Sequence, residues 1–86
     1  MPHSVEEKKR VVARLRRIQG QAAALERAVQ AGTECGALLQ QLAALRGAAT
    51  SLMAEVFESH LRETFGQAGA PDELDRLSRL ARSFLK

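Results

Sequence analysis

Three places in this 86-residue chain carry groups that can do covalent or ligand chemistry: Cys35, His60 and the Pro2-His3 pair at the N-terminus. Cys35 is the single cysteine, so the chain cannot form an internal disulfide. A lone thiol fits a reducing cytoplasm better than a secreted scaffold. It falls in the first turn of a predicted helix, where the partial positive charge of the backbone stabilises a thiolate. The bland alternative is a small buried core residue, where most free cysteines reside. His60 lies further along the same helix. At 100° per residue it returns to within about 20° of the Cys35 face, but about 37 Å away along the axis. The two cannot meet within one chain. They can meet between two chains whose central helices pack antiparallel, with the pairing centre between Gly47 and Ala48. Gly47, Ala48 and Ala49 are small enough there to let two backbones approach closely. A solvated or hydrogen-bonded surface histidine is the alternative for His60.

Pro2 follows the initiator methionine, and a small second residue permits removal of Met1. The secondary amine so exposed condenses with an aldehyde to an iminium. A thiolate adding to the same carbon completes an N–CH2–S bridge. The alternative is the ordinary untidy terminus.

Charge supplies a second kind of chemistry. The formal net charge is +3, and Lys8, Lys9, Arg10, Arg14, Arg16 and Arg17 are gathered within residues 8–17 with no acid among them. Arg10, Arg14 and Arg17 fall on one helical stripe, about a quarter turn from the apolar one, so they can face outward while the other side packs. Lys9 and Arg16 broaden that surface and Arg46 can add to it. A run of one sign is an electrostatic footprint for nucleic acid, although it can equally be a solvated helix face. The chain has no Trp or Tyr and only three Phe. Single-stranded binders use aromatic platforms for stacking, so duplex DNA is the expected partner.

These residues must be positioned by helices. Ser4 with Glu7 is a capping-box pattern, and Val11, Leu15, Ile18, Ala22, Leu25 and Val29 mark one face of a first helix over about 4–31. Gly32 ends it. Thr33 is the expected N-cap of a second helix over about 34–65, with Leu38, Leu42, Leu45, Leu52 and Val56 as its stripe. Pro71, Asp72 and Glu73 open a third over about 71–85, with Leu74, Leu77, Ala81 and Phe84 on its apolar side. The expectation is one all-α domain spanning 1–86, a three-helix protomer around a long central helix. That helix is too long for a compact monomer of this size, so a second copy is expected to cover its stripe. No apolar run is long enough to cross a membrane and no export signal is present, which places the chain in the cytoplasm.

The stretch KKRVVARLRRIQG from Lys8 to Gly20, then Cys35, then Leu39 to Ala48, then Leu52-Met53-Ala54-Glu55 ahead of His60, resembles the CsoR/RcnR family of bacterial repressors over nearly the whole chain. Met1-Pro2 and Leu52 to Phe65 look most like its FrmR-type formaldehyde sensors. The resemblance implies antiparallel dimers assembling into a homotetramer that binds operator DNA without a helix-turn-helix and releases it when an effector binds at Cys35. In FrmR-like members formaldehyde is expected to bridge Cys35 to Pro2 of a neighbouring subunit, with His60 and Thr64 shaping the pocket. Metal-sensing relatives keep a further ligand one turn after the histidine. Here that position is Thr64, a poor ligand for a soft or borderline metal. His3, Cys35 and His60 still match a nickel, cobalt or zinc set, so a metal-responsive repressor of the same fold is the alternative. No cofactor is required by either reading. A helical interaction module without sensing is a third. No residue orients a Cys35–His60 pair for catalysis, so an enzyme is not expected.

Overall fold

The computed structural model describes residues 4–65 and 71–84, and among them there are three helices and no strand. Helix α1 runs Val5–Gln30, α2 Cys35–Phe65 and α3 Pro71–Phe84. All three match the expected elements to within a residue at each end. Pro2 and His3 lie outside the described residues, as do the side chains of Thr64 and Phe84.

Local chemistry accounts for the boundaries. The Ser4 hydroxyl accepts from the Glu7 amide at 3.0 Å, satisfying one of the free donors of the first turn. At the other end Gly32 takes φ +78°. The Gly32 amide donates to the Val29 carbonyl at 3.1 Å and the Thr33 amide to the Ala28 carbonyl at 3.0 Å, the paired bonds of a Schellman turn. Thr33 is therefore part of the exit from α1 and does not cap α2. That task falls to Glu34, whose carboxylate accepts from the Gly36 amide at 3.1 Å and the Ala37 amide at 2.8 Å. The expected threonine cap fails because α2 begins at Cys35, with the Glu34 carbonyl accepting its first helical bond, which puts Glu34 and not Thr33 in the capping position.

Helix α2 is the middle of the molecule. Helix α1 packs antiparallel along one flank and α3 returns along the other, and among the described residues the backbones of α1 and α3 do not approach each other. The result is a single layer measuring 54 × 27 × 11 Å, one helix thick. Its radius of gyration is 16.4 Å, against about 12 Å for a compact chain of this length. It exposes 6549 Å², against about 5,000 Å² for a compact monomer of equal mass.

Burial is correspondingly thin. Among the described residues only Leu25, Leu52, Ala54 and Leu61 count as buried apolar side chains, and none is completely enclosed. Half of the expected α1 stripe lies in the seam with α2, at Val11, Ile18 and Leu25. Leu15, Ala22 and Val29 remain exposed beside it. On α3 the inward residues are Leu74, Ser78 and Ala81, whereas Leu77, expected inside, is exposed together with Leu80.

Ser78 is 4 % exposed and its hydroxyl has no hydrogen-bond partner. A buried unsatisfied hydroxyl costs about 1–3 kcal/mol. Ser78→Ala removes that group without opening a cavity and adds helix propensity. The expected result is a gain of about 1 kcal/mol, a rise of roughly 4–8 °C in midpoint for a domain of this size. Thermal melts followed by circular dichroism at matched protein concentration check it, and an unchanged or lower midpoint refutes it.

Candidate functional site

The two faces of the layer differ in character because α2 is flanked rather than surrounded. Taking 100° per residue and Leu42 as the origin, α1 contacts α2 near −120° and α3 near +110°, both about a third of a turn away. The face between them at the origin is mainly apolar, with the exposed Arg46 at its +40° edge. Cys35, Leu38, Leu42, Ala49, Met53, Val56 and His60 all fall within about 40° of it. Leu42 and Met53 are 47 % and 51 % exposed, and Leu39 and Phe57 at its margin are exposed as well. Among the described residues nothing covers this stripe. It continues onto α1 as an open groove lined by Leu15, Ile18, Leu52, Met53, Phe57 and His60.

Cys35 and His60 thus occupy opposite ends of one exposed apolar stripe. Cys35 is the first residue of α2, free and exposed. The first amides of the helix are taken by the Glu34 carboxylate, so the sulfur shares the helix start with an acid. His60 is exposed at the groove's rim. The residues between them are disposed symmetrically about the point between Gly47 and Ala48. Leu42 and Met53 are equidistant from it, as are Leu38 and Phe57, and Leu39 and Val56. A second copy laid antiparallel on this stripe sets Leu42 against Met53 and Cys35 level with His60.

The small residues at the centre are arranged differently from expectation. Only Ala49 lies on the stripe. Ala48 is half-buried against α1, beside Ile18 and Gln21. Gly47 opens on the α3 flank, where an added methyl would meet nothing within 4 Å. Three consecutive helical residues point in three directions, so a run of small residues cannot line one crossing.

The opposite face of α2 is polar and carries a stripe not anticipated above: Ser51, Glu55, Glu58 and Arg62, spaced by four, three and four. Glu55 receives two arginines of α1. Arg10 Nε donates to its Oε1 at 2.8 Å, and Arg14 Nη1 donates to Oε2. Arg14 Nη2 also donates to Ser51 Oγ at 2.8 Å. Glu58 receives two more, Arg62 at 2.9 Å from the same helix and Arg82 from α3. Ser59 Oγ donates to Glu7 at 2.6 Å. Glu55 therefore ties α1 to α2, and Glu58 ties α3 to α2. The spacing 4-3-4 within a helix otherwise read only for its apolar residues was the available signal.

The basic residues divide accordingly. Lys9, Arg16 and Arg17 are exposed and hold no ion pair among the described residues, as an outward stripe requires. Arg10 and Arg14 are turned across α2 onto Glu55. Arg46 is exposed but lies about 140° around α2 from Ser51, beside the groove that α3 leaves uncovered.

Both arginine donors hold the Glu58 carboxyl below the usual carboxylate range, Arg82 foremost and Arg62 next. A folded-state value depressed below the unfolded one adds stability that is fully present above about pH 4.5 and fades as pH falls through the folded value. The attachment of α3 is thus expected to weaken in acid, below the ordinary carboxylate range. Hydrogen exchange of α3 amides against pH reads it. Glu58→Gln is expected to remove the acid-dependent part, and an identical pH profile in that variant refutes the assignment.

No group of three His, Cys, Asp or Glu side chains able to hold a metal ion occurs among the described residues of one chain, and no helix there is long and apolar enough to cross a membrane. The described residues form a thin helical layer with one largely apolar and one arginine-laced face. The chain belongs to the family of metal-sensitive transcriptional repressors, whose pattern it matches over residues 7–83. It is 45 % identical over 76 residues to a transcriptional repressor RcnR homolog of Escherichia coli, covering 88 % of this chain and 82 % of that protein. It is also 46 % identical, over the full length of both, to an uncharacterized protein encoded in the bioA 5′ region of Serratia marcescens. The CsoR/RcnR resemblance read from the residues is thereby upheld at family level, and the family is one of regulators rather than catalysts.

Proposed function

We propose that the chain is a formaldehyde-responsive repressor that works in the cytoplasm as a homotetramer of antiparallel dimers. The observation that carries this reading is the exposed stripe on α2, with Cys35 and His60 at its two ends and matched apolar residues between. A second copy on that stripe brings the sulfur of one chain level with the imidazole of the other. Cys35 is the sensing nucleophile, and the Pro2 amine of another subunit supplies the second bond. Amine and formaldehyde lose one water to form the iminium, and the thiolate adds to its carbon. The protein gains one carbon in total. His60 and Thr64 shape the pocket. Lys9, Arg16 and Arg17 hold duplex DNA with Arg10, Arg14 and Arg46, and the covalent bridge shifts α1 against α2 so that this register is lost.

The second reading, a nickel-, cobalt- or zinc-responsive repressor, is favoured by the family's metal-sensitive character. The donors fit in kind, since thiolate and imidazole suit zinc and its neighbours. One chain holds Cys35 and His60 far apart, so they could share an ion only across two chains, with His3 as a third donor. Binding to a labelled fragment of the DNA upstream of the chain's own gene, measured with formaldehyde and with each metal, separates the two. Release by formaldehyde, with a one-carbon mass gain on the protein, is expected. Release by a metal alone, with no aldehyde response, reverses the assignment.

A further inference from the structure

We infer that Arg10, Arg14 and Ser51 form a seat for a DNA phosphodiester, and that the Glu55 carboxylate occupies this seat in the free protein. The inference rests on the DNA-binding reading above and adds a residue to it. Two guanidinium groups from successive turns of α1 converge on one point over α2, with a hydroxyl beside them. Paired arginines of this kind recognise the oxygens of a carboxylate or a phosphate equally well in geometric terms. The carboxylate's two oxygens stand where two non-bridging phosphate oxygens would bind. Four arginines and three carboxylates line the surrounding hollow, so a net positive charge remains there for an anion even while the seat is filled.

Access and size agree. Arg10 is 61 % exposed and Arg14 36 %, whereas Glu55 is only 22 % exposed. The arginines are open to solvent and the acid lies beneath them. They border a polar hollow of about 470 Å³ that also takes in Glu7, Glu58, Ser59, Arg62 and Arg82. The neighbouring Glu58 shows the contrast. Its arginines lie on α2 and α3 and serve as a clasp between those helices. The arginines on Glu55 belong instead to the helix that carries Lys9, Arg16 and Arg17.

An intramolecular acid in a phosphate seat competes with every duplex alike. It suppresses binding where only backbone charge is available, and yields where other contacts already hold the DNA in register. Removing its charge is therefore expected to strengthen binding most for unspecific DNA. The test measures fluorescence anisotropy of a labelled mixed-sequence duplex with wild type, Glu55→Gln and Glu55→Gln/Arg14→Ala. Glu55→Gln is expected to bind about three- to tenfold tighter, the size of one or two exposed ion pairs. Its log affinity should fall more steeply with log salt, by about one per arginine newly engaged. Arg14→Ala should cancel both changes. Glu55→Asp keeps the charge but draws the carboxylate back by one methylene, and an intermediate gain is expected there. It carries the test should the glutamine variant lose its helical signal.

A direct readout is the Arg10 Nε–H resonance, which should move when duplex is added to wild type and not when inorganic phosphate is added at the same phosphate concentration. An equal shift with inorganic phosphate makes the seat a free-anion site and overturns the duplex assignment. Unchanged or weaker duplex binding by both Glu55 variants makes the acid a support for the arginines and overturns the seat alone. Absence of duplex binding by wild type overturns the DNA reading and the seat with it.

Discussion

Met53→Glu is expected to sediment as the 9.4 kDa chain, with reduced helicity, under conditions where the wild type sediments as a larger assembly. Met53 sits near the middle of the uncovered stripe on α2, half-exposed in the single chain. In an antiparallel pair it lies against Leu42 of the second copy. Burying such a side chain contributes about 1.5–3 kcal/mol, and placing an unpaired charge there costs several kcal/mol more. Twofold symmetry applies the penalty twice. A pair that loses roughly 6 kcal/mol loses more than a thousandfold in association constant. The helicity should fall with it, because a layer one helix thick has little core of its own. Leu77→Glu, an exposed residue away from the stripe, is the control expected to leave the Cys35–His60 pairing intact. Analytical ultracentrifugation over a concentration series decides the matter. An unchanged mass for Met53→Glu would show that assembly, if any, uses another surface, and the composite sensor pocket would fall with it.

The second large effect concerns the sulfur. Cys35→Ala is expected to stay on DNA in formaldehyde, within about twofold of its untreated affinity, while the wild type weakens more than a hundredfold, about 3 kcal/mol of coupling. The same variant should show no one-carbon mass gain. Cys35 is exposed at a helix start, so the substitution should change stability by no more than about 0.5 kcal/mol. A lost response can therefore be read as lost chemistry rather than lost fold. Blocking the N-terminal amine should abolish the mass gain equally, since the bridge needs both partners. DNA release by Cys35→Ala at wild-type formaldehyde concentrations would end the mechanism.

Much of this was legible along the chain. Apolar spacing of three and four located α1 and α2, and Gly32 marked the turn between them because the exit needs a positive φ. The Cys35–His60 phase relation follows from helix geometry alone, and both residues are exposed on α2. The interior of the pattern was less legible. Leu77 and Ser78 are adjacent, and the sequence rule placed the leucine inward where the packing buries the serine. The central small residues were read as one surface although 100° separates each from the next.

The linear pattern alone determined three helices, the abrupt exit from α1, the all-α class and a middle helix too long to be self-sufficient. Each follows from local backbone preferences and from a periodicity spanning a few residues. Tertiary structure decided which side of α2 stays bare and where the arginines go. Those depend on the rotation of α1 and α3 about α2, which is set by packing between residues some twenty-five to fifty positions apart. The pairing of Arg10 and Arg14 with Glu55 exists only because an antiparallel hairpin brings distant turns level. No spacing rule within either helix specifies that alignment.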